Sequence, residues 1–197
     1  MEELKKTEGK LQAELIERKK AEDKIRQMSL TDELTGINNR RGFLTLAHQE
    51  FEIAKRIKQE VLFLFADIDG LKWINDNLGH EKGDAAIIDA ANILKNTFRA
   101  SDIFARMGGD EFTVFALKTP KSDAELLVKR LEKNIDAHNK KEDRPYRLSL
   151  SVGIVSYDSA DRRSVSELLS HADNLMYEQK RTKKKQPAAP YSPETGR

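Results

Sequence analysis

The spacing of apolar residues changes several times along the chain, and the changes outline an alternating fold. Val61-Leu62-Phe63-Leu64-Phe65-Ala66 is an unbroken apolar run of strand length, the pattern of a strand buried on both faces. Ile103-Phe104-Ala105 and Phe112-Thr113-Val114-Phe115-Ala116 are apolar and β-prone, which predicts strands at 103–106 and 112–117. The pattern predicts helices near Arg40–Lys58, briefly after Gly70, over Gly83–Phe98, near Ser122–Asn139 and from about Val165 to Lys180. A further strand covers about Tyr146–Ser156. Alternation of this kind implies an α/β domain in which helices cover a sheet.

Both ends read differently from the body. Residues 1–28 hold no proline and alternate blocks of Lys/Arg with Glu. Leu4, Leu11, Leu15 and Ile25 fall on d, d, a and d of one heptad frame, while Glu8, Arg18 and Glu22 interrupt its seam. Two readings stand, a solvated helix and a dimerising coiled coil. After Lys180 the chain is Lys-rich, then carries Pro187, Pro190 and Pro193 among small residues, a composition expected to be disordered. The expected organisation is a helical linker over 1–28, a folded domain over 29–184 and a disordered tail over 185–197.

Composition narrows the function classes only slightly. A formal charge of +2 with 35% charged residues gives no bias toward nucleic acid. The absence of cysteine rules out a disulfide framework and thiolate chemistry, and fits a cytoplasmic location. No stretch approaches the roughly 20 apolar residues of a membrane span. The charged N-terminus lacks the apolar core of a signal peptide.

The candidate chemistry lies at the ends of the predicted strands. Arg106-Met107-Gly108-Gly109-Asp110-Glu111-Phe112 joins two of them through a Gly-Gly pair, a hairpin signal because glycine reaches the positive φ of a tight turn. The turn leads into two adjacent acids, which form either a solvated tip or part of a hard-cation site. The buried run at 61–66 ends in Asp67-Ile68-Asp69-Gly70, at the sheet edge where α/β proteins place ligands. Asp67 is therefore a second metal-ligand candidate. Lys72 follows in a segment bounded by Gly70 and Gly79, and is either a phosphate-facing cation or an ordinary surface lysine.

These motifs together resemble the GGDEF domain of bacterial diguanylate cyclases, from about Leu30 to Lys184. The match includes Thr31-Asp32-Glu33-Leu34-Thr35-Gly36 with Asn39-Arg40-Arg41, an ungapped Asp-x-Asp-x-x-Lys-x-x-Asn-Asp-x-x-Gly-His-x-x-Gly-Asp over 67–84, Arg106 and the hairpin. The resemblance implies a central, mostly antiparallel sheet flanked by helices, of the nucleotidyl-cyclase or polymerase-palm type. It implies condensation of two GTP into cyclic di-GMP, with two Mg²⁺ (or Mn²⁺) ions per active site. Asp67, the Ile68 carbonyl and Asp110 match the family's metal ligands, and Asp110 its presumed catalytic acid/base. Glu111 is nearby support. Lys72 and Lys180 match lysines that meet phosphates.

Base choice is expected from Asn75 and Asp84, since an ionised carboxylate only accepts hydrogen bonds and suits guanine's N1–H and amino donors. His80 matches a substrate-associated position, although a Gly-His turn before a helix also caps or packs. Asp69 and Asp76 read as supports of the fold or of the ligands. Arg99-Ala100-Ser101-Asp102 matches the family's inhibitory product site, where arginine's planar fork suits guanine and phosphate; taken alone it is a surface ion pair.

Leu71 stands where the family often has Phe, and Ile37-Asn38 replaces Leu-Pro. Thr182-Lys183-Lys184-Lys185 replaces a Gly-Arg-Asn ending, with Lys184 the candidate substitute for its Arg. The expected partners are GTP, cyclic di-GMP as product and feedback inhibitor, a second copy of the chain, and an upstream sensor. A catalytically silent GGDEF domain, acting as a nucleotide receptor or dimerisation module, is the alternative from another class. A cyclase with a mixed guanine–adenine product ranks behind it, because Asp84 is present.

Overall fold

A computed structural model describes residues 11–12, 14, 16–20, 30–141 and 145–185. The chain divides into two units, Met1–Leu30 and Thr31–Arg197. In the first, the described residues up to 20 are helical, with Leu11 and Ile16 exposed. That exposure is compatible with both readings of the linker. Leu4, Leu15 and Ile25 of the heptad stripe lie outside the described residues, as does the tail from 186 onward.

The second unit is an α/β sandwich. In chain order it comprises β1 (Asn38–Asn39), α1 (Arg40–Arg56), β2 (Val61–Ile68), α2 (Leu71–Leu78), α3 (His80–Thr97), β3 (Ile103–Gly108), β4 (Glu111–Ala116), a 3₁₀ turn (Lys121–Asp123), α4 (Ala124–Asn139), β5 (Leu150–Tyr157) and α5 (Val165–Lys185). The sheet order is β1-β3-β4-β2-β5. Every described pairing is antiparallel except β1 with β3, so the expected mostly antiparallel sheet is present.

All eight residues of β2 are buried, as its unbroken apolar run requires. Its side chains alternate between two cores. Leu62, Leu64, Ala66 and Ile68 pack with Ile74 of α2, Ile87 and Leu94 of α3 and Leu131 of α4. Val61, Phe63 and Phe65 pack on the other face with Phe43 and Phe51 of α1 and Leu168 and Met176 of α5. Phe63 stacks on Phe115 with ring centroids 4.4 Å apart. β2 is thereby held rigidly from both sides, and its end is a fixed platform for Asp67.

Three boundaries differ most from the sequence pattern. β5 begins at Leu150 rather than near Tyr146, because the Asn139 side chain captures the Leu148 backbone. Its amide donates to the Leu148 carbonyl at 2.8 Å and accepts from the Leu148 N–H at 2.7 Å. α3 starts at His80, directly after Gly79 at φ 89°. α5 continues beyond Lys180 to Lys185.

Candidate active site

The site forms where β2 and the β3–β4 turn end side by side. Gly108 and Gly109 both adopt positive φ, 149° and 52°, the conformation that L side chains resist. Arg106 braces this turn: its Nε donates to the Gly109 carbonyl at 2.9 Å, and its Nη1 pairs with Asp32 at 3.3 Å. Asp32 also accepts from the backbone and hydroxyl of Thr35, at 2.9 and 2.6 Å. The Thr31–Gly36 motif is thus a buttress of the hairpin.

Strand register joins the two acidic motifs. Asp67 lies opposite Glu111 in the β2–β4 ladder, and the Ile68 N–H donates to the Asp110 carbonyl at 3.1 Å. Asp67 is buried and accepts from Lys180 Nζ at 2.5 Å. Burial pushes its carboxyl above the ordinary range, the Lys180 bond opposes that, and Asp110 and Asp69 push it up again. Burial works against the Lys180 ammonium, but Asp67, Asp110 and Asp69 outweigh it and hold its pKa above the ordinary lysine value. Burial and the charges of Asp173, Asp110 and Asp67 also push Glu111 up.

Asp69 sits in a hydrogen-bonded nest. Ser151 and Ser149 hydroxyls donate to it at 2.6 and 2.7 Å, and Lys183 Nζ at 3.0 Å. Burial disfavours its charge, yet these bonds prevail and hold its carboxyl below the ordinary range. It therefore braces the end of β2. The sequence reading missed Lys183, Ser149 and Ser151. Lys184, its candidate for the missing Arg, is exposed, and Lys183 is the residue that turns inward.

The donor set suits a hard divalent cation. Asp67, Asp110 and the Ile68 carbonyl offer oxygen ligands only, and four acids here (Asp67, Asp69, Asp110, Glu111) face two lysines (Lys180, Lys183). Among the described residues no three His, Cys, Asp or Glu side chains converge as a metal centre. Water would complete the shell, as Mg²⁺ commonly arranges.

The nucleotide candidates lie on α2 and α3. Lys72, His80 and Asp84 are exposed and Asn75 half-buried. A Cβ on Gly83 would overlap the Asn75 side chain, so glycine there is what lets Asn75 sit beside Asp84 on the neighbouring helix. His80 is exposed at the first position of α3, so it is not held in the core. Asp102 differs from a surface ion-pair residue: it is buried, and its two oxygens accept from the backbone N–H of Arg99 at 2.8 Å and of Leu117 at 3.0 Å. The Arg99 side chain is exposed. A cavity of about 350 Å³ lined by Arg40, Phe65, Glu111 and Asp173 opens beside the hairpin, between α1 and α5.

Residues 29–186 match the family model described as "Diguanylate cyclase, GGDEF domain". The chain is 33% identical over 158 residues to the probable diguanylate cyclase DgcC of Escherichia coli K12, covering 80% of this chain and 42% of that protein. It is 32% identical over 160 residues to the diguanylate cyclase DgcP of the same organism, covering 81% and 47%. It thus spans less than half the length of these relatives. The solved GGDEF domain of TpbB (YfiN) from Pseudomonas aeruginosa superposes with a TM-score of 0.70 at 31% identity, covering 77% of this chain and 89% of that one. Among the described residues no helix is long and apolar enough to cross a membrane.

Proposed function

The chain belongs to the GGDEF diguanylate cyclase family, and on that premise we propose that it is an active cyclase, converting two GTP into cyclic di-GMP and two pyrophosphates. The observation that carries this reading is the juxtaposition of Asp67, Asp110 and Lys180 by strand register and helix packing. In each step a ribose 3′ oxygen forms a bond to the α-phosphorus of the other nucleotide, and the bond to pyrophosphate breaks. Asp110 accepts the hydroxyl proton. Lys72 and Lys180 balance charge on the phosphates, because phosphoryl transfer is mainly positioning and charge neutralisation. Mg²⁺ or Mn²⁺ bound by Asp67, Asp110 and the Ile68 carbonyl would lower the hydroxyl's pKa and neutralise the leaving oxygens.

Asn75 and Asp84 select guanine, and His80 contacts the substrate. Each domain holds one GTP, so the productive species is a homodimer, which the helical linker assists. Arg99 and Asp102 form the feedback site for cyclic di-GMP. The experiment is incubation of the protein with GTP and Mg²⁺ over a range of protein concentrations, with products identified by chromatography and mass. Cyclic di-GMP and pyrophosphate in a ratio of 1:2, about one to two by the reaction's stoichiometry, with specific activity falling on dilution, is expected. Absence of cyclic di-GMP overturns the proposal, and dilution-independent activity overturns its dimeric form.

A further inference from the structure

Among the described residues β5 has a strand neighbour on one side only, so its outward backbone groups need partners other than a strand. α5 supplies them. Gln179 Oε1 accepts from the Val152 N–H at 2.5 Å, and one turn on, Lys183 Nζ donates to the Leu150 carbonyl at 2.6 Å. Lys183 also donates to Asp69 at 3.0 Å and reaches the Ser149 hydroxyl at 3.5 Å. Each of its three N–H donors thus has an acceptor.

Lys180 and Lys183 are three residues apart, neighbours on one helix face. The acids they meet, Asp67 and Asp69, are two apart at the end of β2. The two rungs differ in permanence. On the cyclase reading phosphates compete with Asp67 for Lys180, whereas Asp69 is neither a metal ligand nor a phosphate contact, so nothing in that reading competes for its bond to Lys183. We infer that Lys183 is a positioning residue: it clamps the last turns of α5 to β5 and Asp69, so that Lys180 is held over the site both before and after nucleotide binds. The inference rests on the cyclase reading for the role of Lys180, while the clamp itself does not.

The test compares Lys183→Met, which keeps side-chain length, with Lys183→Arg, Lys180→Met and the double variant Lys180→Met/Lys183→Met. Amide hydrogen exchange over 179–185 reads the clamp. Binding of a non-hydrolysable GTP analogue with Mg²⁺ is followed by the fluorescence of Trp73, the chain's single tryptophan, on α2. Lys183→Met should accelerate exchange and weaken analogue binding, each about tenfold, and Lys183→Arg should restore both. In the Lys180→Met background the Lys183 substitution should change binding by less than about twofold, because coupled residues are non-additive. Unchanged exchange in Lys183→Met, or losses at 180 and 183 that multiply independently, overturns the inference. If the wild type binds analogue but makes no cyclic di-GMP from GTP, the cyclase proposal fails and the coupling still decides the inference. A wild type that binds no nucleotide overturns both.

Discussion

Replacing Gly153 with alanine should separate the site's lysines from its acids without touching either. Gly153 lies on β5 under α5, where a Cβ would fall 2.5 Å from the Met176 backbone nitrogen and hard against the Ala172 carbonyl oxygen. Both obstacles are backbone atoms, so no side-chain rotation relieves them. Reaching an ordinary separation of about 3.5 Å from both atoms requires α5 to lift by about 1.5 Å. Overpacking of this kind costs about 1–3 kcal/mol. Near the middle of that range, a domain of this size should lose about 4–8 °C in Tm. The same displacement carries Lys180 from its 2.5 Å contact with Asp67, and a shift of about 1 Å at a reacting centre is worth about 10²-fold in rate. Thermal unfolding by circular dichroism and cyclic di-GMP formation well below Tm are the two measurements. A lowered Tm with full turnover would mean that the edge strand yields rather than α5, and would refute the mechanical link. Unchanged Tm and turnover would refute the packing argument itself.

Three other outcomes are expected. Asp110→Ala should lower turnover about 10³-fold while Tm holds or rises, because an acid–acid repulsion is relieved; near-normal turnover would remove Asp110 from the chemistry. Arg99→Ala should weaken inhibition by added cyclic di-GMP without lowering the initial rate, seen in full progress curves; equal inhibition of both proteins would reduce Arg99 to a surface residue. Burial, and then the Lys141 charge, push His138 below the ordinary histidine pKa. A base with a depressed folded pKa adds no penalty above its unfolded value near 6.5, and stability falls as pH drops below that value, because only the unfolded chain takes up the proton. Denaturant titrations from pH 7.5 to 5 (a window set around the reference pKa of about 6.5) should show this decline, and His138→Gln should flatten it.

The parts of the fold carried by continuous pattern were legible in the sequence. β2 and the β3–β4 hairpin follow from apolar runs and a Gly-Gly turn, and their ends delivered Asp67 and Asp110 as candidates. The remainder depends on contacts between distant segments. β1 is two asparagines, polar and without strand pattern, and exists because Asn38 pairs with Ala105 while its side chain bonds the Phe104 carbonyl. Tyr146 and Leu148 are buried like strand residues, but Asn139 diverts the Leu148 backbone. Lys183 was hidden in a run of lysines, where composition alone gives no reason to prefer one. Spacing narrows the choice to Lys183 and Lys184, which both share the helix face of Lys180, and only the packing of α5 against Asp69, just past β2, selects Lys183. Buried Asp102 could not be told from an exposed acid, because its partners are backbone N–H groups.

The strand order also bears on how the chain reaches its native state. β3 and β4 pair across a short turn, whereas β2 waits for partners such as Ala116 and Tyr157, far along the chain. Long-range pairing closes large loops and slows folding, so the local hairpin is the pairing able to form first. The turn that aims Asp110 and Glu111 is then also the seed on which the sheet assembles. Substitutions at Gly108 or Gly109 should slow refolding as well as misdirect the acids, while Asp110→Ala, which leaves the glycine geometry intact, should refold at the parent rate.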